Sequence, residues 1–180
     1  LILSLKLFQM LEFKHYDSSL GVNFSKSKLK TMPLVNWDFY SDFLSQLNKV
    51  LSDERQLTQI SSSLEWKLDT DVKVKLTTDT VVVVTCPKLK IVFASQNMER
   101  MNGYRPEEVL GKSPKIFQGQ ATCPITSSEI SQAIQLQQPF DKVITNYCKD
   151  GSLYRCHIKG YPVFNKWGEL TNFIAFEKAA

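Results

Sequence analysis

The reactive side chains in this sequence are few and scattered. Its four cysteines, Cys86, Cys123, Cys148 and Cys156, form no Cys-x-x-Cys pair, and the histidines His15 and His157 lie far apart. A zinc site needs thiolates and imidazoles at short fixed spacings, so no metal site is expected. Cys156 and His157 are neighbours, which raises the question of a thiol–imidazole pair. On a strand, adjacent side chains point to opposite faces, so these two cannot share a proton as nucleophile and base must. Cys156 is expected inside a sheet as a small apolar residue, with His157 outside. The sequence contains no Gly-x-Ser-x-Gly, His-Glu-x-x-His, P-loop or Gly-x-Gly-x-x-Gly. No catalytic residue is assigned, and the chain is expected to have no catalysis of its own.

The bulk numbers narrow the classes further. The chain has 180 residues, 43% hydrophobic and 22% charged, a soluble globular balance with room for one domain and an extension. A net charge of +4 without a clustered basic face argues against nucleic acid. Lys26, Lys28 and Lys30 read as a solvated loop. Leu1–Phe13 is leucine-rich, but Lys6, Gln9 and Glu12 interrupt it and it is too short to span a bilayer. No secretory signal is visible, so reduced thiols in a cytoplasmic protein are expected.

Two regions follow from periodicity. Residues 1–72 read as a helical extension: an amphipathic helix over Leu1–Tyr16, a linker over Asp17–Pro33, then a helical hairpin. Its first helix starts near Trp37 and carries Tyr40, Phe43, Leu44, Leu47, Val50 and Leu51 at helical spacing. Ser52 would cap the second, striped by Leu57, Ile60 and Leu64. Asp69–Asp79 is ambiguous between strand and helix.

Residues 78–180 read as the main domain. Val81–Thr85 is a β-branched strand and Ile91–Ala94 a second. Ser95 can cap a short helix ending at Asn102. Between Gly103 and Gly119, Pro106 opens one short helix, Gly111 ends it, and Pro114 confines Lys112–Phe117 to a kinked piece. Two broken helical turns pack poorly and suit a pocket wall. Pro124 opens a longer helix that Pro139 ends. Three strands follow: Phe140–Tyr147, Leu153–Val163 across an Asp-Gly hairpin signal, and Leu170–Glu177. Periodicity alone supports α+β architecture, an antiparallel sheet with its helices on one face.

Met98-Glu99-Arg100-Met101-Asn102-Gly103-Tyr104, Glu107-Glu108-Val109-Leu110-Gly111-Lys112 and Phe117-Gln118-Gly119, in that order, resemble the PAS domain family, specifically its light-oxygen-voltage (LOV) branch. The likeness runs from about Thr80 to Lys178. It implies the PAS fold, a five-stranded antiparallel sheet with helices on one face. It also implies a cofactor question. At the position of the family's photoactive cysteine this chain has Pro114, which offers no nucleophile. Ser113 stands for an asparagine, Lys115 for a phosphate-binding arginine and Ser131 for a second one. Gln118 and Asn146 are retained, Cys156 replaces an asparagine, and Glu177 replaces a glutamine. If flavin is bound, the resemblance makes Ser113, Lys115, Gln118, Asn146, Cys156 and Glu177 the residues around it. A haem ligand is not expected, since no histidine lies between Ser95 and Phe140.

The resemblance implies a sensory or signalling module that regulates through pocket changes and dimerisation, its cofactor unknown. Two alternatives stand beside it: a blue-light or redox sensor binding flavin mononucleotide (FMN) without adduct chemistry, and a purely structural dimerisation domain. The expected partners are a second copy, held through the N-terminal helices or the outer sheet face (Val82, Val84, Tyr161, Val163), and a downstream signalling partner or output domain. Neither nucleic acid nor membrane is expected.

Overall fold

The computed structural model describes residues 35–67 and 79–180. The expected Leu1–Tyr16 helix, the Asp17–Pro33 linker and residues 69–78 lie outside these. The chain divides into two units, 1–38 and 39–180. Of the first, only Val35–Asp38, the opening turn of a helix, is described.

The fold is α+β. Helix α1 (Val35–Ser63) leads to a two-residue strand β1 (Trp66–Lys67). After it come β2 (Val81–Thr85), β3 (Ile91–Ala94), α2 (Met98–Asn102), α3 (Pro106–Val109), a 3-10 turn (Pro114–Phe117) and α4 (Pro124–Gln135). The chain closes with β4 (Phe140–Tyr147), β5 (Leu153–Asn165) and β6 (Leu170–Ala179). The strands form one antiparallel sheet in the order β1-β5-β6-β2-β3, with β4 also paired to β5. The five expected strands are all present. The additional β1 pairs Trp66 with Asn165 beyond the end of β4.

β2 explains the layering. Its four valines, Val81 to Val84, are all buried, although alternate side chains point to opposite faces. Val81 and Val83 pack with Ile91, Ala94, Met98, Val109 and Phe117 on the concave side, beneath the short helices. Val82 and Val84 pack on the other side with Phe93, Val163 and Ile174. Leu57 belongs to that outer cluster, with Ile60 and Trp66 against it. The expected outer-face positions Val82, Val84, Tyr161 and Val163 therefore do line that face, and the C-terminal half of α1 covers it within the same chain.

The hairpin expected between residues 37 and 64 is corrected: α1 is one helix of 29 residues. Nothing between Val35 and Ser63 forces a break, since the segment contains neither glycine nor proline. Asp53, read as a first-turn residue of a second helix, instead finds its partner in the β3–α2 turn, where the Gln96 N–H donates to its Oδ2 (2.9 Å). Tertiary partners override a weak local capping signal.

Ser95 is the second correction. Its hydroxyl makes no cap for α2. It accepts from the Val82 N–H (2.8 Å) and donates to Asn97 Oδ1 (2.6 Å). That ties the β3–α2 turn to the central strand.

Leu57 is 5% exposed and is the buried apolar residue of α1 among residues 41–63. Leu57→Ala is expected to lower the unfolding free energy by about 2–4 kcal/mol, read as a reduced urea midpoint at unchanged slope. An unchanged midpoint would mean that α1 does not bear on the sheet.

Candidate functional site

The broken helices and the sheet enclose a cavity of about 120 Å³ on the concave face. Each short element has a local cause. Pro106 and Pro114 open their turns at positions where a missing N–H costs nothing. Gly111 ends α3 with φ 74°, a left-handed conformation that side chains disfavour. From there the Gly111 N–H donates to Ile91 O (2.8 Å), and Lys112 O accepts from the Ile91 N–H (2.9 Å). The wall is thus fastened to β3.

The following loop is fastened to β4. Thr122 Oγ1 donates to Thr145 O (2.7 Å), and Tyr147 Oη accepts from the Ala121 N–H (2.8 Å). A Cβ on Gly119 would lie 2.6 Å from the Tyr147 ring, so the loop can approach this closely only with glycine there.

Most of the residues named from sequence meet at this cavity. Ser113, Pro114, Lys115 and Gln118 border it from the 3-10 turn, Ser131 from α4, Asn146 from β4 and Glu177 from β6. Cys156 does not border it, which corrects its assignment as a direct pocket residue. It is fully buried on β5 between the other two strands, and its thiol donates to Glu177 Oε2 (3.8 Å). His157 points to the opposite face and pairs there with Asp141, as the strand alternation requires.

Several side chains are already committed. Ser131 Oγ donates to Ser127 O inside α4 (2.9 Å), and Ser127 Oγ donates to Gln118 Oε1 (3.2 Å). Ser113 Oγ accepts from the Lys115 N–H (3.5 Å), capping the 3-10 turn. Asn146 differs. It is 3% exposed and its Oδ1 has no hydrogen-bond partner. A buried unsatisfied acceptor costs about 1–3 kcal/mol, and this one belongs to a residue lining a cavity.

The electrostatics favour neutral groups. Burial pushes the Glu177 carboxyl up to about 7, against the lowering effect of the Cys156 thiol bonded to it. Burial also pushes the Cys156 thiol well up, and the Glu177 carboxylate adds to this. Cys156 therefore stays an uncharged, unreactive thiol at neutral pH. Tyr154 is raised in the same way, mainly by burial. Its hydroxyl accepts from Asn102 Nδ2 (3.4 Å). The site can present a carboxylic acid O–H, an amide and apolar walls, with Lys115 the cation that borders it.

Sequence reasoning missed Phe140, Ile158, Gly160 and Ala175, which also line the cavity. Strand alternation could have found the last three: Ile158 and Gly160 share the face of Cys156, and Ala175 that of Glu177. Gly160 matters most. A Cβ there would fall 2.2 Å from the Phe140 ring, so the ring lies directly on the β5 backbone.

The comparisons agree on the region and the fold. A family model described as PAS domain matches residues 78–178. Protein TWIN LOV 1 of Arabidopsis thaliana is 40% identical over 88 residues, 48% of this chain and 22% of the relative. A blue-light-activated histidine kinase of Brucella ovis is 35% identical over 99 residues, 52% of this chain and 20% of the relative. The chain thus spans about a fifth of the length of these relatives. Among solved structures, a light-oxygen-voltage domain studied with a flavin analogue aligns with a TM-score of 0.54 at 25% identity, covering 56% of this chain and 77% of that one. The light state of the blue-light photoreceptor Aureochrome1 LOV aligns with a TM-score of 0.54 at 23% identity, covering 57% and 82%.

Two outcomes follow from this geometry. Gly160→Ala must displace the Phe140 ring toward the cavity, with an expected loss of about 1–3 kcal/mol in unfolding free energy by chemical denaturation. Glu177 holds its proton up to about pH 7 when folded but releases it near 4.5 when exposed. Within that window the folded state binds more protons, so stability falls as pH rises, by on the order of 3 kcal/mol in all. Glu177→Gln should shrink the decline in a urea series run between pH 4 and 8 by about that amount, leaving the part that comes from Asp53, which burial raises to about 6.

Proposed function

We infer the function from membership: the chain belongs to the PAS domain family, and it is a sensory, signalling module of the LOV-like kind. We propose that occupancy of the concave cavity is its signal and that it performs no catalysis of its own. The observation that carries this is Asn146, a buried amide whose Oδ1 has no partner and which lines the cavity. A ligand donating one N–H or O–H would satisfy it, and protonated Glu177 could donate to an acceptor beside it.

The one adjacent thiol and imidazole of the described residues do not pair. Cys156 bonds Glu177 on one face of β5 while His157 pairs with Asp141 on the other. Free thiols at all four cysteines fit a cytoplasmic protein. Among the described residues no helix is long and apolar enough to cross a membrane.

The same open acceptor favours a second reading, flavin as the ligand. Polar groups for a ring edge are at hand, since Asn146, Gln118 and Glu177 all border the cavity, but its volume of about 120 Å³ means it would have to widen to admit the ring. At a phosphate the chain would offer Lys115, while Ser131 is turned into its own helix. Pro114 stands at the wall without a nucleophile, so this reading involves no cysteinyl adduct. A bound flavin would supply light absorption and electron acceptance. The residues here would orient its ring and hold a proton at Glu177.

The proposed output involves α1 and a second copy. With the outer sheet face covered by Leu57 and Ile60, the apolar surface proposed for a second copy lies on α1 at Phe43 and Leu44, 37% and 46% exposed. A larger protein carrying an output domain fits the short span of the relatives that the chain matches.

Native mass spectrometry with an absorption spectrum tests the cavity. A small molecule should be retained by the wild type and lost from Asn146→Leu, with affinity reduced at least about tenfold. Absorption in the flavin bands would select the second reading, and a ligand-free protein that binds nothing from an extract would refute both. Sedimentation should give a dimer that Phe43→Glu/Leu44→Glu dissociates.

A further inference from the structure

The charged side chain that α1 buries among the described residues is Asp53, 3% exposed. It sits where the helix changes character. On its N-terminal side Phe43 and Leu44 are exposed, and on its C-terminal side Leu57 is buried on the sheet. Its carboxylate meets the turn between β3 and α2, where the Gln96 N–H donates to Oδ2 (2.9 Å).

That turn is stiff. The Ser95 N–H donates to Val82 O (2.9 Å), Ser95 Oγ accepts from the Val82 N–H (2.8 Å), and Asn97 Nδ2 donates to Thr80 O (2.8 Å). Beside the contact lies a cavity of about 270 Å³ walled by α1 and the turn. The charged groups facing Asp53 there are Asp42 and Lys49 from α1 and Glu99 and Arg100 from α2. Glu99 is paired with Arg105 (3.3 Å) and Arg100 with Asp79 (3.4 Å).

We propose that Asp53 is a release latch for α1: its carboxylate, carried into the helix–sheet contact, sets how tightly the helix is held, and its ionisation loosens the helix from the outer face. A buried charge with one backbone donor is poorly compensated, and an element that must let go has to be held weakly. Burial raises the Asp53 carboxyl to about 6, with the Gln96 N–H and Lys49 lowering it. With α1 lifted off, the carboxyl would return to its ordinary value of 3.8. The docked helix therefore holds a proton more tightly, so acid favours docking and loss of the proton favours release. From pH 5 to 7.5 the docking constant falls roughly tenfold. Release would bare Val82, Val84 and Phe93 on the sheet. The latch rests on α1 being an output element. It is read without any ligand, so it can fail or hold independently of the cavity.

Hydrogen exchange on the full chain, read by mass spectrometry, tests it. The signal is the protection of the Leu57–Ile60 amides themselves, corrected for intrinsic rates. Wild type should lose roughly tenfold of this protection between pH 5 and 7.5. Asp53→Asn keeps the shape and an acceptor for the Gln96 N–H, and it should lose none. At pH 7.5 it should be protected tenfold or more above wild type. Wild-type protection of these amides that does not change with pH overturns the latch whether or not the variant folds. So does an Asp53→Asn protein with the wild-type pH response.

Discussion

Val81 to Val84 are buried on both faces of one strand, and that constraint shapes the molecule. A strand with valine at every position needs cover on each side, since each exposed side chain forfeits about 1.5–3 kcal/mol of burial. Antiparallel sheets commonly leave one face to water. This one cannot. The concave face takes the short helices through Met98, Val109 and Phe117, and the outer face takes α1 through Leu57. The family's sensory pocket and the helix proposed as output are thus the two covers of one strand. A change of packing on one side is separated from the other by a single layer of backbone.

The concave cover is not a complete apolar plug. Glu177, Cys156 and Asn146 run diagonally across β6, β5 and β4, and all three are buried. Cys156 and Glu177 satisfy each other, but Asn146 is left with an open acceptor. A core selected only for stability would close that gap with a hydrocarbon side chain. The polar diagonal with one open acceptor is the feature on which the proposed occupancy of the cavity rests.

Much of the fold was legible along the chain. The β-branched run, the Asp-Gly turn and the paired prolines each dictate local geometry through φ, sterics or strand periodicity, so the elements between Val81 and Ala179 stand where those signals put them. Ser113, Pro114, Lys115, Gln118, Ser131, Asn146 and Glu177 line the cavity, and Cys156 does not. They come from motifs whose order along the chain is preserved in space. The failures share a cause. Ser52-Asp53-Glu54 looks like a helix start because serine and acids cap helices, yet the same residues are tolerated inside a helix when a tertiary donor such as Gln96 takes the carboxylate.

The sequence by itself determined the strand set, the broken wall and the absence of a thiol at Pro114, because these depend on neighbours in the chain. Only the tertiary structure decided that α1 is continuous, that it lies on the outer face, and that Cys156 turns its proton to Glu177 instead of the cavity. It also decided that Asn146 keeps an open acceptor and that Gly160 lies under a ring. Each of these is fixed by which distant groups arrive within hydrogen-bond or van der Waals reach. Residue type sets what a side chain can bond, and strand pairing across many residues sets what it meets.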